Sequence, residues 1–386
     1  MLAPQPFFEP RGTPFSVLGR LRALSVLGHE VHLVTYHLGQ DVAIPNVAVY
    51  RTPRLGFIRQ VRVGPSVTKL FLDVLLMAKA IHLLWRGRYD LLHTHEEAAF
   101  FGILLAKAFR LRHLYDMHSS LPQQLRNFRY TRFRPLIRLF EVLERWAVNA
   151  SDSVITICPA LEEHVRQING HVPHMMIENV PSEAAPERAL ATSRESRNVA
   201  QLLGNGKKIV LYTGTFEAYQ GIDLVLGSAR RVLDERRDVM FVLVGGQPHQ
   251  VQHYRSRIQD LGFSDHFLLP GTLPPQDIPG FVGHSDVLIS PRTSGTNTPL
   301  KIYAYLQSGK PIVATNISAH TQVLTPEVAV LVEPNADAFA RGVLSVLADP
   351  SRARERADRA RDLFEQRYSF SGFVEKTQRA LEMAAR

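Results

Sequence analysis

The sequence predicts an α/β protein built from two Rossmann-like domains of similar size. With 386 residues, of which 45% are hydrophobic and 21% charged, the chain is longer than a typical single domain and ordinary in globular composition. Apolar, β-branched runs of strand length alternate with longer helical patterns, which predicts parallel strands joined by crossover helices. These runs are 30–36, 89–95, 111–118 and 152–158, then 209–214, 240–246, 286–291 and 311–316.

A change in composition separates the two halves. Residues 183–206 hold few large apolar side chains and many Ala, Arg, Glu and Ser, which indicates a linker between domains at 1–182 and 207–365. Two charged amphipathic helices that meet near 369–372 close the chain. The apolar faces of these helices must dock on other parts of the protein.

Charge and cysteine content limit the partners and the compartment. The 45 Lys and Arg against 36 Asp and Glu give a net charge of +9, which suits nucleotide phosphates, an acidic membrane surface or nucleic acid. The single cysteine, Cys158, excludes an internal disulfide and a cysteine-rich metal site, and it fits a reducing compartment. We interpret it as a small buried hydrophobe.

No segment has the pattern of a membrane span or a secretion signal. Lys69, Asp73 and Lys79 interrupt the apolar stretch 66–86, so we predict a buried helix of a soluble domain. No basic leader with an apolar core and cleavage site opens the chain, which predicts a cytoplasmic protein. Met1 falls where a first strand should already have begun, so we expect the natural start a few residues upstream.

Two loops that lead into predicted helices offer anion sites. Gly12, with Arg11 beside it, lets backbone amides approach an anion at a helix N-terminus, although a tight turn alone also explains the glycine. In the second half, Thr298 is expected to cap a helix whose first residue is Pro299. Lys301 then lies in the first turn, where the helix dipole disfavours a cation by about 0.3–1 kcal/mol.

An anion held between Lys301 and the amides of 296–299 would resolve that conflict. Arg292, just past the preceding strand, is within reach of the same place. The alternative is a Lys301 side chain that extends into solvent at small cost. The sequence does not distinguish the two.

Histidines stand at the carboxyl ends of two predicted strands of the first domain. His93 and His95 belong to the run HTHE, and His118 follows the next strand. Ligands of open α/β sheets bind beyond these strand ends, so a catalytic role competes here with ordinary packing. No HExxH, CxxC or EF-hand spacing occurs in the sequence, which argues against a protein-bound catalytic metal.

The segment 126–146 interleaves arginines with aromatic residues. This pattern fits an anionic bilayer, with the aromatic side chains in the interface and the arginines on lipid phosphates. Stacking on single-stranded nucleic acid, which we rank lower, and a core helix behind a basic loop are the alternatives.

Several ordered segments resemble the family 4 retaining glycosyltransferases over nearly the whole chain. They are RGTPFSVLGRLRALSVLGHEVHLVTY, YDLLHTHEEAAFFG and HLYDMHSS in the first half, then KIVLYTGTFEAYQGIDLVL, FVLVGG, LLPGTLPPQDIPGFVGHSDVLISPR and KIYAYLQSGKPIVAT. The order and spacing of these matches are far more specific than any single motif. The resemblance implies a GT-B fold, in which two Rossmann-like domains face a cleft and a terminal helix at about 366–386 packs back on the first domain.

The resemblance also implies metal-independent sugar transfer with retention, without a cofactor beyond the nucleotide-diphosphate sugar. By position, Gly12 would approach the donor diphosphate, and His118, the expected catalytic residue, would contact the donor sugar near the reacting carbon. The leaving diphosphate would accept the acceptor's proton. His95, Glu96 and Glu97 are expected on the acceptor side.

The chain departs from the family pattern at four expected donor contacts. Thr215 and Gln220 replace the Arg and Lys that grip the phosphates, and the two family glutamates fall at Thr296 and Ala304. The missing ribose carboxylate should cost about 1.5–3 kcal/mol unless another residue substitutes. The donor-binding residues we predict are Arg11, Gly12, Thr215, Glu217, Arg292, Thr296, Asn297, Thr298 and Lys301.

The favoured hypothesis is therefore a glycosyltransferase that acts on a lipid-linked, polysaccharide or polyol acceptor. Such an enzyme would serve cell-envelope polysaccharide or glycolipid synthesis at the inner face of the membrane. The other hypotheses are a catalytically inactive GT-B protein that binds a glycan or protein, a sugar-nucleotide epimerase of the same architecture, and a nucleic-acid-binding protein. A steep salt dependence of binding would reveal the last of these.

Overall fold

The structure is a computed structural model that describes residues 1–9, 12–58, 60–61, 66–122, 134–179 and 206–386. It divides into two compact units, Met1–Ser182 with Phe370–Arg386, and Glu183–Ser369. Most of the predicted linker, 183–206, lies outside the described residues. The returning helix, predicted at about 366–386, spans Phe370–Ala385, and Tyr368 just before it is buried with its ring 5.0 Å from that of Tyr303.

The first unit contains a parallel sheet with strand order β3-β2-β1-β4-β5-β6-β7. Its strands are β1 (Leu2–Ala3), β2 (Val31–Thr35), β3 (Val47–Arg51), β4 (Leu91–His95), β5 (Arg112–Met117), β6 (Ser153–Thr156) and β7 (His174–Met176). Its helices are α1 (Gly12–Val26), α2 (Val67–Arg86), α3 (Ala98–Phe109), α4 (Arg134–Ala150), α5 (Pro159–Asn169) and, after the second unit, α13 (Phe370–Ala385).

Helices cover both faces of this sheet because side chains alternate along its strands. Leu114 of β5 packs with Ala23 of α1 and Phe373 of α13 on one face. The next residue, Tyr115, packs with Ile103 of α3 and with α4 on the opposite face. Side chains in the register of Leu114 therefore face α1 and α13.

The second unit contains a parallel sheet with strand order β10-β9-β8-β11-β12-β13. Its strands are β8 (Lys208–Thr213), β9 (Val239–Val244), β10 (Phe267–Gly271), β11 (Val287–Ser290), β12 (Ile312–Thr315) and β13 (Val330–Val332). Its helices are α6 (Ile222–Glu235), α7 (Pro248–Asp260), α8 (Ile278–His284), α9 (Leu300–Ser308), α10 (Ser318–Thr321), α11 (Ala336–Ala348) and α12 (Pro350–Arg367). The predicted alternation of parallel strands and helices is thus confirmed in both units.

The helix predicted within 66–86 forms as α2, but only one of its faces is buried. That face carries Leu72, Leu76, Ala80 and Leu84. The prediction of a buried helix is wrong because a helix laid on one face of a sheet encloses a single stripe of its side chains. Its other face exposes Val67, Leu70, Phe71, Val74 and Trp85.

Among the described residues, no helix is both long enough and apolar enough to cross a membrane. The predicted membrane segment 126–146 is described only from Arg134 onward, as α4, and 126–133 lie outside the described residues. α4 exposes Leu139 and Val142 together with Arg138 and Arg145. Contact of this segment with a membrane stays a prediction.

Candidate active site

Lys301 lies in the first turn of α9, as predicted, but the helix begins differently. Pro299 has an extended ψ of 135° and occupies the N-cap position, so the first helical residue is Leu300. The hydroxyl of Thr298 is buried without a hydrogen-bond partner. The predicted cap by Thr298 and the predicted helical Pro299 are therefore wrong.

The ammonium group of Lys301 is buried. Its Nζ has no hydrogen-bond partner and lies 3.7 Å from the ring centroid of Tyr212. Burial, and then the charge of Arg292, lower the pKa of Lys301 well below its usual value. The alternative of a Lys301 side chain that extends into solvent is wrong.

The turn after β8 lies directly over this amine. Gly214 has a φ of +144°, and a Cβ at this position would stand 2.8 Å from Lys301 Nζ and 3.0 Å from the Tyr212 hydroxyl. Gly214 itself is exposed. The positive φ therefore favours glycine at this position, and the absence of a side chain lets the turn approach the buried amine closely.

Arg292 supplies a second buried cation. It follows β11, the neighbour of β8, and its Nη1 donates to the Asn297 carbonyl at 2.9 Å while its Cζ lies 4.9 Å from the ring centroid of Tyr219. Burial lowers the pKa of its guanidinium. Within the described residues, neither Arg292 nor Lys301 has a carboxylate within ion-pair distance. Two unpaired cations at adjacent strand ends would be stabilised by an anion.

The other predicted donor residues of the second unit lie at the same strand ends. Thr215 and Glu217 are exposed in the turn after β8, where the Tyr212 hydroxyl donates to the Thr215 carbonyl at 2.6 Å. The Thr296 carbonyl accepts from the Gln322 side chain at 2.6 Å, which fixes the loop before α9. In the first unit, Gly12 is the exposed first residue of α1, and Arg11 lies outside the described residues.

The histidines of the first unit gather around Asp116, a residue that the sequence analysis did not single out. His118 Nε2 lies 3.2 Å from Asp116 Oδ1 and 3.0 Å from His95 Nδ1. His93 Nε2 lies 3.3 Å from Asp116 Oδ2, and its ring stacks on that of His95. All four side chains are buried. The alternation of β4 and β5 places them on the sheet face that α1 and α13 cover.

Arg20 of α1 is the counter-ion of Asp116. Its Nε donates to Asp116 Oδ2 at 3.0 Å, and its Nη1 donates to the Thr377 hydroxyl of α13 at 2.8 Å. Burial tends to raise the pKa of Asp116, but Arg20, His118 and His95 hold it well below its usual value. The carboxylate is thus charged and joins α1, β5 and α13.

His95 is a neutral base at physiological pH, because burial lowers its pKa well below the usual value. It is completely buried, and its Nδ1 faces His118 rather than solvent. The i, i+2 spacing of Asp116 and His118 was the available sequence signal for the carboxylate. For Arg20, 96 residues earlier in the chain, no such local signal exists.

Glu96 and Glu97 follow β4 at the same sheet edge. Glu96 has a positive φ of 52°, which is rare for a residue with a side chain, and its carboxylate accepts a hydrogen bond from the Ser119 hydroxyl at 2.8 Å. Burial raises its pKa, and the charge of His118 opposes that effect. Glu97 forms an ion pair with Lys69. Glu96 is thus held at this strand end by Ser119, the residue that follows His118.

One group in the described part of the chain has the donor types for a metal ion. The candidate ligand atoms of His93, His95 and Asp116 lie within 4.8 Å of one another. Oδ2 of Asp116 already bonds the Arg20 guanidinium, a cation that would repel a metal ion at this place. The donor set therefore fits a charged hydrogen-bond network better than a metal centre.

Stability should fall as the pH is lowered from neutral, because both units bury neutral histidines. Burial lowers the pKa of His113 to about 3 and that of His320 to about 4, from 6.5. Below about pH 6.5 the unfolded chain binds protons that the folded chain excludes, so each histidine should cost about 2 kcal/mol near pH 5. Denaturant unfolding across this pH range measures the loss. Replacing exposed His249 by Asn should leave the slope unchanged, whereas His320→Asn should flatten it.

Two parallel Rossmann-like units and a last helix that returns to the first unit define the GT-B class of fold. The chain belongs to the glycosyl transferases group 1 family: the model of that name matches residues 193–363, and the model of the glycosyl transferase 4-like domain matches residues 12–181.

Curated relatives and solved structures are similar to the chain at low identity. A phosphatidyl-myo-inositol mannosyltransferase of Propionibacterium freudenreichii is 23% identical over 93% of this chain and 89% of its own length. A 2-deoxystreptamine glucosyltransferase of Streptomyces kanamyceticus is 25% identical over 55% of this chain. The matched region spans about half, 56%, of the length of that enzyme. HepE of Anabaena in complex with UDP has a TM-score of 0.73 at 17% identity, over 99% of this chain and 98% of HepE.

Proposed function

We propose that this glycosyltransferase moves a sugar from a nucleotide-diphosphate donor to a hydroxyl-bearing acceptor, with retention and without a metal ion. The proposal rests on two buried basic side chains, Lys301 and Arg292, near the Gly214 turn. Neither has a carboxylate partner among the described residues. A diphosphate would supply the counter-charge that the described residues do not. Lys301 and Arg292 would thereby replace the phosphate-binding Arg and Lys of the family, whose positions Thr215 and Gln220 occupy in this chain.

The chemistry that we assign to these residues is electrostatic. As the bond between the sugar and the diphosphate breaks, negative charge grows on the leaving phosphate, and Lys301 and Arg292 are fixed donors that stabilise it. The leaving phosphate takes the proton of the acceptor hydroxyl. His118, oriented by Asp116 and His95, donates a hydrogen bond to the donor sugar. Glu96 receives a hydrogen bond from the acceptor.

Three similar proteins support a sugar donor and a polyol-like acceptor. HepE has been solved with UDP and with UDP-glucose. The named acceptors of the relatives, phosphatidyl-myo-inositol and 2-deoxystreptamine, are both ring polyols or amino-polyols. The proposal therefore takes a hydroxylated ring, free or on a lipid, as the acceptor class.

Thermal unfolding against UDP-, GDP- and ADP-sugars tests the donor proposal. One nucleotide class should stabilise the protein by about 2.7 kcal/mol at a ligand concentration 100 times the dissociation constant. EDTA should leave this stabilisation unchanged, because the proposed counter-ions of the diphosphate are side chains. No stabilisation by any of the sugars would favour the catalytically inactive GT-B hypothesis. A stabilisation that EDTA abolishes would contradict the metal-free mechanism.

A further inference from the structure

We propose that His320 and Thr315 are positioning residues of the donor site, which hold Arg292 where its guanidinium can meet the diphosphate. This inference rests on the donor site proposed above. Thr315 is the last residue of β12, and His320 belongs to α10, the short helix that follows that strand. Both side chains are completely buried, so neither can touch the donor itself.

The hydrogen bonds of His320 fix the position of its proton. Nδ1 lies 2.8 Å from the Thr315 carbonyl oxygen, which can only accept, so Nδ1 carries the hydrogen. Nε2 is then an acceptor, and the buried Ser290 hydroxyl donates to it at 2.8 Å. Burial and the charges of Arg292 and Lys301 lower the pKa of the ring to about 4, against the opposing effect of the bond to the Thr315 carbonyl. The imidazole is thus neutral, with a partner on each nitrogen.

The Thr315 hydroxyl extends this chain of hydrogen bonds to Arg292. Its Oγ1 lies 3.1 Å from His320 Nδ1, whose proton is shared between the carbonyl and hydroxyl oxygens of Thr315. Because this hydroxyl oxygen accepts from His320, its own proton points away from the ring, and it is donated to the Arg292 carbonyl. Hydrogen-bond donation therefore runs in one direction, from the imidazole through the Thr315 hydroxyl to the backbone of Arg292.

The guanidinium of Arg292 is held separately, by the loop before α9. Its Nη1 donates to the Asn297 carbonyl at 2.9 Å. Gln322, at the end of α10, donates to the Thr296 carbonyl of the same loop at 2.6 Å. Nε of Arg292 is buried and has no hydrogen-bond partner within the described part of the chain. The backbone and one end of the guanidinium are thus fixed, and Nε remains available to an anion.

Packing alone does not explain a histidine at position 320. An apolar side chain of similar size would fill the same space without a ring nitrogen to satisfy and without the loss of stability that we expect at acid pH. Such a side chain could not orient the Thr315 hydroxyl toward Arg292. A cation that is fixed before the reaction stabilises the charge of a leaving phosphate better than one that must reorganise, so the network serves the donor.

Calorimetric titration of the full chain with UDP, GDP and ADP tests the proposal, and the nucleotide that the wild type binds most tightly is used for the variants. Thr315→Val keeps the shape of the side chain but removes the hydroxyl, and it should weaken binding about fivefold. Thr315→Ser restores the hydroxyl and should bind within about twofold of the wild type. Ser228→Ala is the matched control, because this buried hydroxyl bonds the Val225 carbonyl of its own helix at 2.8 Å. It should leave binding unchanged.

Nitrogen NMR of the histidine rings tests the proton position without any ligand. The signal that disappears in His320→Asn should belong to a ring with its hydrogen on Nδ1. This ring should stay neutral at about pH 5.5, where an unperturbed histidine is mostly protonated. A hydrogen on Nε2 alone, or a protonated ring at this pH, would overturn the proposed direction of the hydrogen bonds.

A double-mutant cycle separates positioning of Arg292 from a general loss of structure. In an Arg292→Gln background, Thr315→Val should cause no further loss of nucleotide affinity, because the residue through which Thr315 acts is already gone. An equal loss in both backgrounds would overturn the proposal, as would a Thr315→Val variant that binds like the wild type. A wild type that binds none of the three nucleotides would instead contradict the proposed donor site, and the role of His320 with it.

Discussion

Replacing Lys301 by methionine is expected to stabilise the ligand-free protein and to remove most of its affinity for the donor. Methionine keeps the length of the side chain and the contact with the ring of Tyr212 but removes the buried amine that has no hydrogen-bond partner. Release of such a group should add about 1–3 kcal/mol to the free energy of unfolding. In a unit of this size, the midpoint should rise by roughly 2–4 °C per kcal/mol.

The pH dependence of this gain follows from the direction of the pKa shift. Burial lowers the pKa of Lys301 from 10.5, so below about pH 10.5 the unfolded chain holds a proton that the folded chain binds less readily. The wild type therefore loses stability as the pH falls from that value toward the folded pKa of Lys301. The methionine variant lacks this loss, and its advantage should grow on going from alkaline to neutral pH.

Donor affinity should change in the opposite sense. Loss of one charge-assisted hydrogen bond to the diphosphate costs about 1.5–3 kcal/mol, or roughly 10- to 150-fold in dissociation constant. Lys208→Met is the control, because that lysine pairs with Asp286 in an exposed ion pair at 3.0 Å and should matter little for either quantity. A Lys301→Met variant that is less stable and binds the donor normally would make Lys301 a packing residue only.

Arg20→Met is expected to be the most destabilising change in the first unit. It leaves Asp116 charged, buried and without its counter-ion, which typically costs about 3–5 kcal/mol when one partner of a buried pair is removed. Denaturant unfolding of the variant measures the loss. Thr377→Val removes only the second acceptor of Arg20 and should cost about 1 kcal/mol.

The double variant Arg20→Met with Asp116→Asn provides the internal control. It removes both charges together, so its loss of stability should be clearly smaller than the sum of the two single losses. Losses that simply add, or an Arg20→Met variant within about 0.5 kcal/mol of the wild type, would show that the pair does not hold α13 on this unit.

The sequence predicted eight of the strands, β2, β4, β5, β6, β8, β9, β11 and β12, because their apolar periodicity is local. It also placed the histidines at the carboxyl ends of strands, the sheet edge at which ligands of open α/β sheets bind. The sequence did not predict the ion pair of Arg20 with Asp116, because this contact depends on how α1 and α13 cross the sheet. The exposed apolar face of α2 was missed for a related reason: apolar content alone does not tell which side of a helix a sheet will cover.

The donor site divides in the same way. The sequence predicted the conflict between Lys301 and the helix dipole, and it showed that the family's phosphate-binding residues are absent. The burial of Nζ between Tyr212 and Gly214 was not, because it requires the conformation of a turn almost 90 residues away to be known. The sequence also did not predict that α9 starts at Leu300, because this start depends on the extended backbone of Pro299.

Uptake of a proton by Lys301 on donor binding is measured most directly by titration calorimetry of the stabilising nucleotide-sugar in buffers of different ionisation enthalpy. The lowered pKa favours loss of the proton from the buried amine, and a bound diphosphate would favour its return. The observed enthalpy of the wild type should therefore vary with the buffer and indicate uptake of up to about one proton, whereas that of Lys301→Met should not. Donor binding by the wild type with a buffer-independent enthalpy would contradict a diphosphate held by Lys301.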